Sequence, residues 1–126
     1  MARQPTVLVV EDNDKSLKLF CALLELRGYR TETAITVAEA VATALRVLPD
    51  LVVMDIQLPD GDGAAALSAL RADQRTCQLP VVAVTAFAMP GDRERLLAAG
   101  FDGYITKPID AHTFVDDLSA LIRPEH

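Results

Sequence analysis

Four short, uninterrupted runs of valine, leucine and isoleucine constrain the fold of this chain more than any other feature. They occupy residues 6–10, 51–54, 81–85 and, more weakly, 103–106. Because these runs are continuous rather than alternating, they predict strands buried on both faces, which is typical of a parallel sheet. Residues 30–33 form a poorer fifth candidate, which we expect at the edge of the sheet.

Apolar residues recur at helical spacing between these runs. Leu17, Phe20, Cys21 and Leu24 fall at i, i+3, i+4 and i+7 ahead of Gly28, which is typical of a helix that ends at a glycine cap. A second helix is predicted to begin after Thr36, with its stripe running to residue 48. Three more are predicted: a helix over 64–71, a helix with Pro90 in its first turn that ends at Gly100, and a last helix after Asp110 whose apolar side includes residues 114–122.

Strand and helix therefore alternate five times. This order favours an α/β fold with a doubly wound, five-stranded parallel sheet flanked by five helices, because each parallel crossover needs a covering helix. At 126 residues, without a linker-like tract, the chain is expected to form a single domain over 1–126. Ligands of such folds bind at the carboxyl ends of the strands.

Composition excludes several classes of function. Lys and Arg number 12 against 18 Asp and Glu, and the resulting net charge of −6 disfavours direct binding of nucleic acid. Two distant cysteines, Cys21 and Cys77, do not form a disulfide framework or a metal quartet. No segment is apolar for long enough to span a membrane or to serve as a signal peptide. We expect a cytoplasmic protein with no membrane association.

Residues that could bind a ligand or take part in a reaction lie at or just after the ends of four predicted strands. Glu11 and Asp12 follow the first, Asp55 the third, Thr85 ends the fourth and Lys107 follows the fifth. Taken singly, an aspartate after a strand is more often a turn or cap residue. Here three carboxylates, a hydroxyl and an ammonium are expected to meet at the same edge of the sheet.

This combination predicts a site that handles a phosphoryl group. Three close carboxylates repel one another, and a hard cation such as Mg²⁺ would stabilise them through oxygen ligands. Lys107 would contact phosphate oxygens, and Thr85 would donate to another. Asp55 is the natural carboxylate nucleophile for an acyl phosphate.

The same residues carry a family resemblance. The segments around Glu11-Asp12-Asn13, Met54-Asp55-Ile56, Val84-Thr85-Ala86 and Lys107-Pro108-Ile109 resemble the receiver domain of bacterial two-component response regulators, in order and spacing, over nearly the whole chain. Within that family the chain is most similar to single-domain regulators of the DivK type. Receivers of hybrid histidine kinases share much of this pattern, so a receiver domain cut from such a kinase remains the alternative.

The resemblance implies a role for each site residue. Asp55 would accept the phosphoryl group; Asp12, Asp55 and the backbone carbonyl of Gln57 would ligate Mg²⁺, with Glu11 acting largely through water. Phosphate contacts are implied for Thr85, Ala86 and Lys107, a switch role for Thr85 and Tyr104, a cis peptide bond before Pro108, and a strand order of 2-1-3-4-5.

The resemblance also implies partners. A sensor histidine kinase or a histidine phosphotransfer protein would donate the phosphoryl group, and a downstream protein would bind the last two helices and the fifth strand. The implied function is that of a signalling switch rather than an enzyme, limited to self-phosphotransfer and autodephosphorylation. Because Phe87 cannot position a water by hydrogen bonding, we expect autodephosphorylation to be slow.

The residues disfavour two other functions. An aspartyl phosphatase of the haloacid dehalogenase type would need a second aspartate where Gln57 stands. A flavodoxin-like FMN carrier would place its phosphate beside Glu11 and Asp12, which would repel it. Asp60 and Asp62 lie at the wrong spacing for a calcium loop and are interpreted as a turn leading into the third helix.

Overall fold

The computed structural model describes residues 4–86 and 89–122. Its strands are β1 (Thr6–Val10), β2 (Arg30–Ala34), β3 (Leu51–Asp55), β4 (Gln57–Leu58), β5 (Gly61–Asp62), β6 (Val81–Thr85) and β7 (Gly103–Thr106). Its helices are α1 (Asp14–Leu26), α2 (Val37–Val47), α3 (Gly63–Ala72), α4 (Asp92–Ala99) and α5 (Phe114–Ser119).

Five of these strands form one parallel sheet in the order β2-β1-β3-β6-β7. This is the predicted order 2-1-3-4-5, renumbered because β4 and β5 form a separate antiparallel hairpin between β3 and α3. The predicted α/β class, with a doubly wound five-stranded parallel sheet and five flanking helices, is confirmed. The hairpin was not predicted, since its two-residue strands lie in a segment that reads as a turn.

The continuous apolar runs are explained by a core on each face of the sheet. Successive strand residues point to opposite faces, so Leu8 and Val10 pack on one side while Val7 and Val9 pack on the other. Helices α2, α3 and α4 supply core residues to the first face, and α1 and α5 to the second. Phe20 of α1 stacks on Phe114 of α5, with ring centroids 5.0 Å apart. The two cores thus fix the positions of the strands whose ends carry the predicted site.

Polar residues after the strands begin the helices. The side chain of Asn13 accepts from the backbone N–H of Ser16, and that of Thr36 accepts from Glu39, which confirms Thr36 as the cap of α2. Asp62 caps α3 in the same way. The interpretation of this segment as leading into the third helix is therefore correct, although only Asp60 lies in the turn and Asp62 lies on β5.

Some predicted boundaries were wrong. Helix α4 begins at Asp92, after Gly91 at a φ of 87°, so Pro90 lies before the helix rather than in its first turn. Helix α5 ends at Ser119, although Leu121 and Ile122 still pack on the core beyond it. Strand β2 extends to Ala34 and β3 reaches Asp55. Among the described residues, no helix has the length and apolar character needed to cross a membrane.

Candidate metal and phosphoryl-acceptor site

Three carboxylates meet where β1 and β3 end. Glu11 and Asp12 directly follow β1, and Asp55 is the last residue of the adjacent β3. One oxygen from each of these three side chains lies within 4.8 Å of the others. Parallel pairing of the two strands brings their carboxyl ends together, which is why residues more than 40 positions apart in the sequence converge here. The predicted cluster therefore forms.

Burial makes this cluster electrostatically costly. Glu11 is only 1% exposed and Asp55 only 6%, whereas Asp12 faces solvent. Charged groups shielded from water repel one another more strongly than the same groups on an open surface. The arrangement therefore needs a positive charge close by.

Lys107 supplies one such charge from the loop after β7. Its Nζ lies 2.8 Å and 3.0 Å from the two carboxylate oxygens of Glu11 and 3.5 Å from Oδ2 of Asp55. Its backbone N–H donates to the carbonyl of Thr85 at 2.8 Å, which ties the lysine to the end of β6. With all four side chains ionised, the three carboxylates and this ammonium leave two negative charges uncompensated.

The ionisation of Glu11 reflects this imbalance. Burial first, and then its hydrogen bond and charge interaction with Asp55, raise the pKa of Glu11 to about 7, while Lys107 acts to lower it. Burial would lower the pKa of Lys107, but its hydrogen bond to Glu11 and the nearby carboxylates outweigh burial and raise it. A proton on Glu11 thus relieves part of the repulsion in the absence of another cation.

The residues that directly follow Asp55 hold its side chain and the start of α3 in place. Its Oδ1 accepts from the backbone N–H of Gln57 at 3.0 Å, and the carbonyl of Ile56 accepts from the N–H of Gly63 at 2.8 Å. A Cβ at Gly63 would lie 2.9 Å from the carbonyl oxygen of Asp55 and 3.0 Å from Cγ of Met54. Only glycine lets α3 begin this close to the end of β3.

Thr85 and Ala86 lie beside the carboxylates at the end of β6. Thr85 is buried, Ala86 is exposed, and Thr85 lines a cavity of about 300 Å³ between the β3–α3 and β6–α4 loops. The lining of this cavity also includes Gln57, Met89 and Asp92. Phe87 lies outside the described residues.

Tyr104 and Pro108 occupy the flanks of the site. Tyr104 is half-buried on β7 and lines a different cavity, of about 380 Å³, between β7, α4 and α5. The peptide bond from Lys107 to Pro108 is cis, the isomer that the resemblance implies. Pro108 lines a third cavity, of about 350 Å³, with Ala86, Lys107 and residues of α1.

Comparison with known proteins decides the family. Residues 7–119 match the model of the response regulator receiver domain. The chain belongs to this family. The polar-differentiation response regulator DivK of Brucella ovis is 41% identical over 117 residues, which cover 93% of this chain and 95% of that protein.

Solved receiver structures superpose closely on this chain. The receiver domain of a sensor histidine kinase from Pseudomonas aeruginosa PAO1 is 34% identical with a TM-score of 0.86, and the match covers 95% of this chain and 98% of that one. That structure has a magnesium ion coordinated in its active-site cleft. A chemotaxis response regulator of Vibrio cholerae is 25% identical with a TM-score of 0.88, covering 94% and 99% of the two chains. The chain is therefore a receiver domain of the two-component type, similar to DivK, and receivers are signalling switches.

The donor set of this receiver fits a magnesium ion. Its three convergent carboxylates offer oxygen ligands alone, and the two uncompensated negative charges match a divalent cation. Asp12 is exposed on the outer side of the cluster, so water molecules could complete the coordination. Mg²⁺ typically takes one or two carboxylates and keeps several waters, as this partly open arrangement allows.

Three features of the site were missed from the sequence. Gly63 was read as part of a turn, because a close approach between two backbones leaves no local signal. Asp92, buried at the start of α4, accepts from the N–H of Met89 at 2.8 Å and pairs with Arg95 at 2.6 Å. Asp60 contacts α2 across more than 20 residues of sequence. None of these contacts follows from composition or periodicity.

Proposed function

We propose that Asp55 is the phosphoryl acceptor of this receiver and that Glu11, Asp12, Asp55 and the backbone carbonyl of Gln57 hold the Mg²⁺ on which the transfer depends. The convergence of three carboxylates and Lys107 at one edge of the sheet carries this proposal. A phosphohistidine on a sensor histidine kinase or a histidine phosphotransfer protein is the proposed donor.

The transfer makes one bond and breaks one. A carboxylate oxygen of Asp55 attacks phosphorus, the P–N bond of phosphohistidine breaks, and the imidazole leaves with that electron pair and takes up a proton. When bound, Mg²⁺ would neutralise charge on the acceptor and on the transferring phosphoryl oxygens. Lys107, 3.5 Å from Asp55, can shift from Glu11 to the phosphoryl oxygens as they arrive.

Thr85 and Tyr104 are proposed to change position when Asp55 is phosphorylated. An acyl phosphate adds about −1.5 to −2 charge and three acceptor oxygens beside the end of β6. The hydroxyl of Thr85 and the N–H of Ala86 would donate to these oxygens, which draws the β6–α4 loop toward Asp55. Tyr104 would then move inward on β7 and change the surface formed by α4, β7 and α5.

That surface is the proposed contact with a downstream protein. It encloses the cavity of about 380 Å³ lined by Tyr104, and Leu97 of α4 is 40% exposed there. The net charge of −6 supports protein rather than nucleic-acid partners. We place the switch in the cytoplasm, in keeping with its unpaired Cys21 and Cys77, and assign no membrane contact.

We propose a stand-alone regulator of the DivK type in preference to a receiver domain cut from a hybrid histidine kinase. The relative named DivK is matched over 95% of its length, which supports a stand-alone regulator, whereas the Pseudomonas receiver belongs to a sensor histidine kinase. Membership of the receiver family favours a phosphoacceptor over the aspartyl phosphatase and FMN carrier hypotheses.

Acetyl phosphate with Mg²⁺ tests the acceptor. Intact-protein mass spectrometry should show one phosphoryl group on the wild type and none on Asp55→Asn. Asp14→Asn is the matched control, because Asp14 is a nearby exposed carboxylate that pairs with Lys18 and lies outside the cluster. Phosphorylation retained in Asp55→Asn would refute the assignment.

A further inference from the structure

The β4–β5 hairpin determines where one proposed metal ligand lies. Gln57 pairs with Asp62, and Leu58 with Gly61, so the hairpin begins two residues after Asp55. The carbonyl of Gln57 is the proposed backbone ligand, and its N–H binds Oδ1 of Asp55 at 3.0 Å. Any movement of the hairpin would displace this carbonyl relative to the acceptor carboxylate.

Asp60 at the tip of the hairpin binds the start of α2. Its Oδ1 accepts from the N–H of Val37 at 2.7 Å, and its Oδ2 from the N–H of Ala38 at 3.2 Å. These are the first two amides of α2, which have no acceptor within the helix. The third amide, of Glu39, donates to Thr36 at 3.0 Å. Helix α2 therefore has its own cap and a second one supplied by the hairpin.

The charge of Asp60 suits this contact. The hydrogen bond from Val37 is the main cause that lowers the pKa of Asp60; desolvation opposes it, and the hydrogen bond from Ala38 adds to the lowering. A carboxylate at a helix N-terminus is also favoured by the helix dipole. The link is therefore formed by the ionised side chain at neutral pH.

Two further contacts restrain the same hairpin. Leu58 and Val37 both pack against the core cluster on the first face of the sheet. Asp62 accepts from the N–H of Ala65 at 3.0 Å and thereby joins the hairpin to α3. The hairpin thus bridges the N-termini of two helices, and Asp60 makes its polar contact with α2.

We propose that Asp60 is a positioning residue, which holds the hairpin on α2 so that the carbonyl of Gln57 and the carboxylate of Asp55 face the same cation. This inference rests on the magnesium site of the proposed function. Coupling of this kind is reciprocal, so a cation bound at Asp55 also stabilises the contact between Asp60 and α2.

Calorimetric titration of the full chain with Mg²⁺ measures the effect of Asp60. Asp60→Ala should raise the Kd for Mg²⁺ by about tenfold, the lower end of the loss seen when a group that orients a metal ligand is removed. Asp60→Asn keeps one acceptor oxygen and should give a smaller increase. Thr36→Ala is the matched control, because it removes a cap from the same helix end without touching the hairpin, and its Kd should equal that of the wild type.

Hydrogen exchange provides a second readout. Mg²⁺ should slow exchange of the Val37 and Ala38 amides in the wild type and leave it unchanged in Asp60→Ala. Equal Kd values for the wild type and Asp60→Ala would overturn the inference, as would equal increases in Asp60→Ala and Thr36→Ala, which would show that only helix stability matters. If Asp60→Ala does not fold, Asp60→Asn decides the same comparison.

If the wild type does not bind Mg²⁺, both the proposed metal site and the inference about Asp60 are refuted. Binding by the wild type that is indifferent to Asp60 would refute the inference alone.

Discussion

Charged residues lie both at the edge of the sheet where the strands begin and at the edge where they end. The charges compensate one another at the first edge and do not at the second. At the edge where the strands begin, Arg71 donates to the carbonyls of Leu79 and Gly100 and pairs with Asp102 at 3.0 Å. Asp102 also accepts from the N–H of Val81. At the edge where the strands end, three carboxylates converge, and Lys107 contacts two of them, Glu11 and Asp55.

This difference in charge balance indicates a structural role for the first edge and a ligand-binding role for the second. At the first edge, the charges of Arg71 and Asp102 compensate each other, and both side chains also bind backbone groups, so the pair stabilises the fold. At the second, buried negative charge exceeds positive charge, which costs stability until a cation arrives. Charge is balanced at the edge where no chemistry is expected and unbalanced at the proposed site.

Removing Arg71 should give the largest loss of stability. Arg71→Met takes away three hydrogen bonds from a side chain that is 27% exposed, and we expect a loss of about 2 kcal/mol in the free energy of unfolding. Urea denaturation measures this loss, and the Kd for Mg²⁺ should not change. Arg75→Met, which removes an exposed pair with Asp73, is the control and should have a much smaller effect. An equal loss in the two variants would contradict the assigned role of the Arg71 edge.

The affinity for Mg²⁺ should depend on pH. Without a cation, the pKa of Glu11 is raised to about 7, so below that pH Mg²⁺ must displace a proton. Affinity should therefore rise by up to about tenfold per pH unit from about pH 5.5 to 7 and then level off. Calorimetry in buffers of different ionisation enthalpy counts the released protons.

The variant Glu11→Gln controls for this titration. It should bind Mg²⁺ more weakly and release no proton over the same range. A flat pH profile in the wild type would show that Glu11 does not carry the proton.

The smallest effect is expected at Phe87. Phe87→Glu should speed autodephosphorylation by roughly threefold or more, because the introduced carboxylate can orient an attacking water by hydrogen bonding. Loss of the phosphoryl group from phosphorylated protein in Mg²⁺, followed over time, measures the rate. An unchanged rate would mean that Phe87 does not control access of water to the acyl phosphate.

Much of the fold could be predicted, because burial on both faces leaves a strong pattern. The runs at β1, β3 and β6 were recognised from valine and leucine alone. The strand Arg30–Ala34 reads poorly because an edge strand needs fewer apolar residues. The start of α4 was misplaced because Pro90 suits both a first helical turn and the turn that precedes Gly91.

Part of the candidate site could also be predicted from the sequence, and part could not. Strand ends of a parallel sheet meet at one edge, so the convergence of Glu11, Asp12, Asp55 and Lys107 could be predicted from the alternation of strands and helices. The strand order itself was implied by the family resemblance. The close approach at Gly63 could not, since it depends on how two backbones pack. Nor could the contact of Asp60 with α2, because it joins residues 22 and 23 positions apart through a hairpin that leaves no periodic signal.

The stability of Asp12→Asn with and without Mg²⁺ tests the central claim most directly. Asp12 adds negative charge to a cluster that already exceeds its positive charge. In EDTA, the variant should therefore unfold at a higher temperature than the wild type. In saturating Mg²⁺ the order should reverse, because the wild type binds the cation more tightly. A variant less stable than the wild type in EDTA would contradict the account of this edge as an unbalanced site.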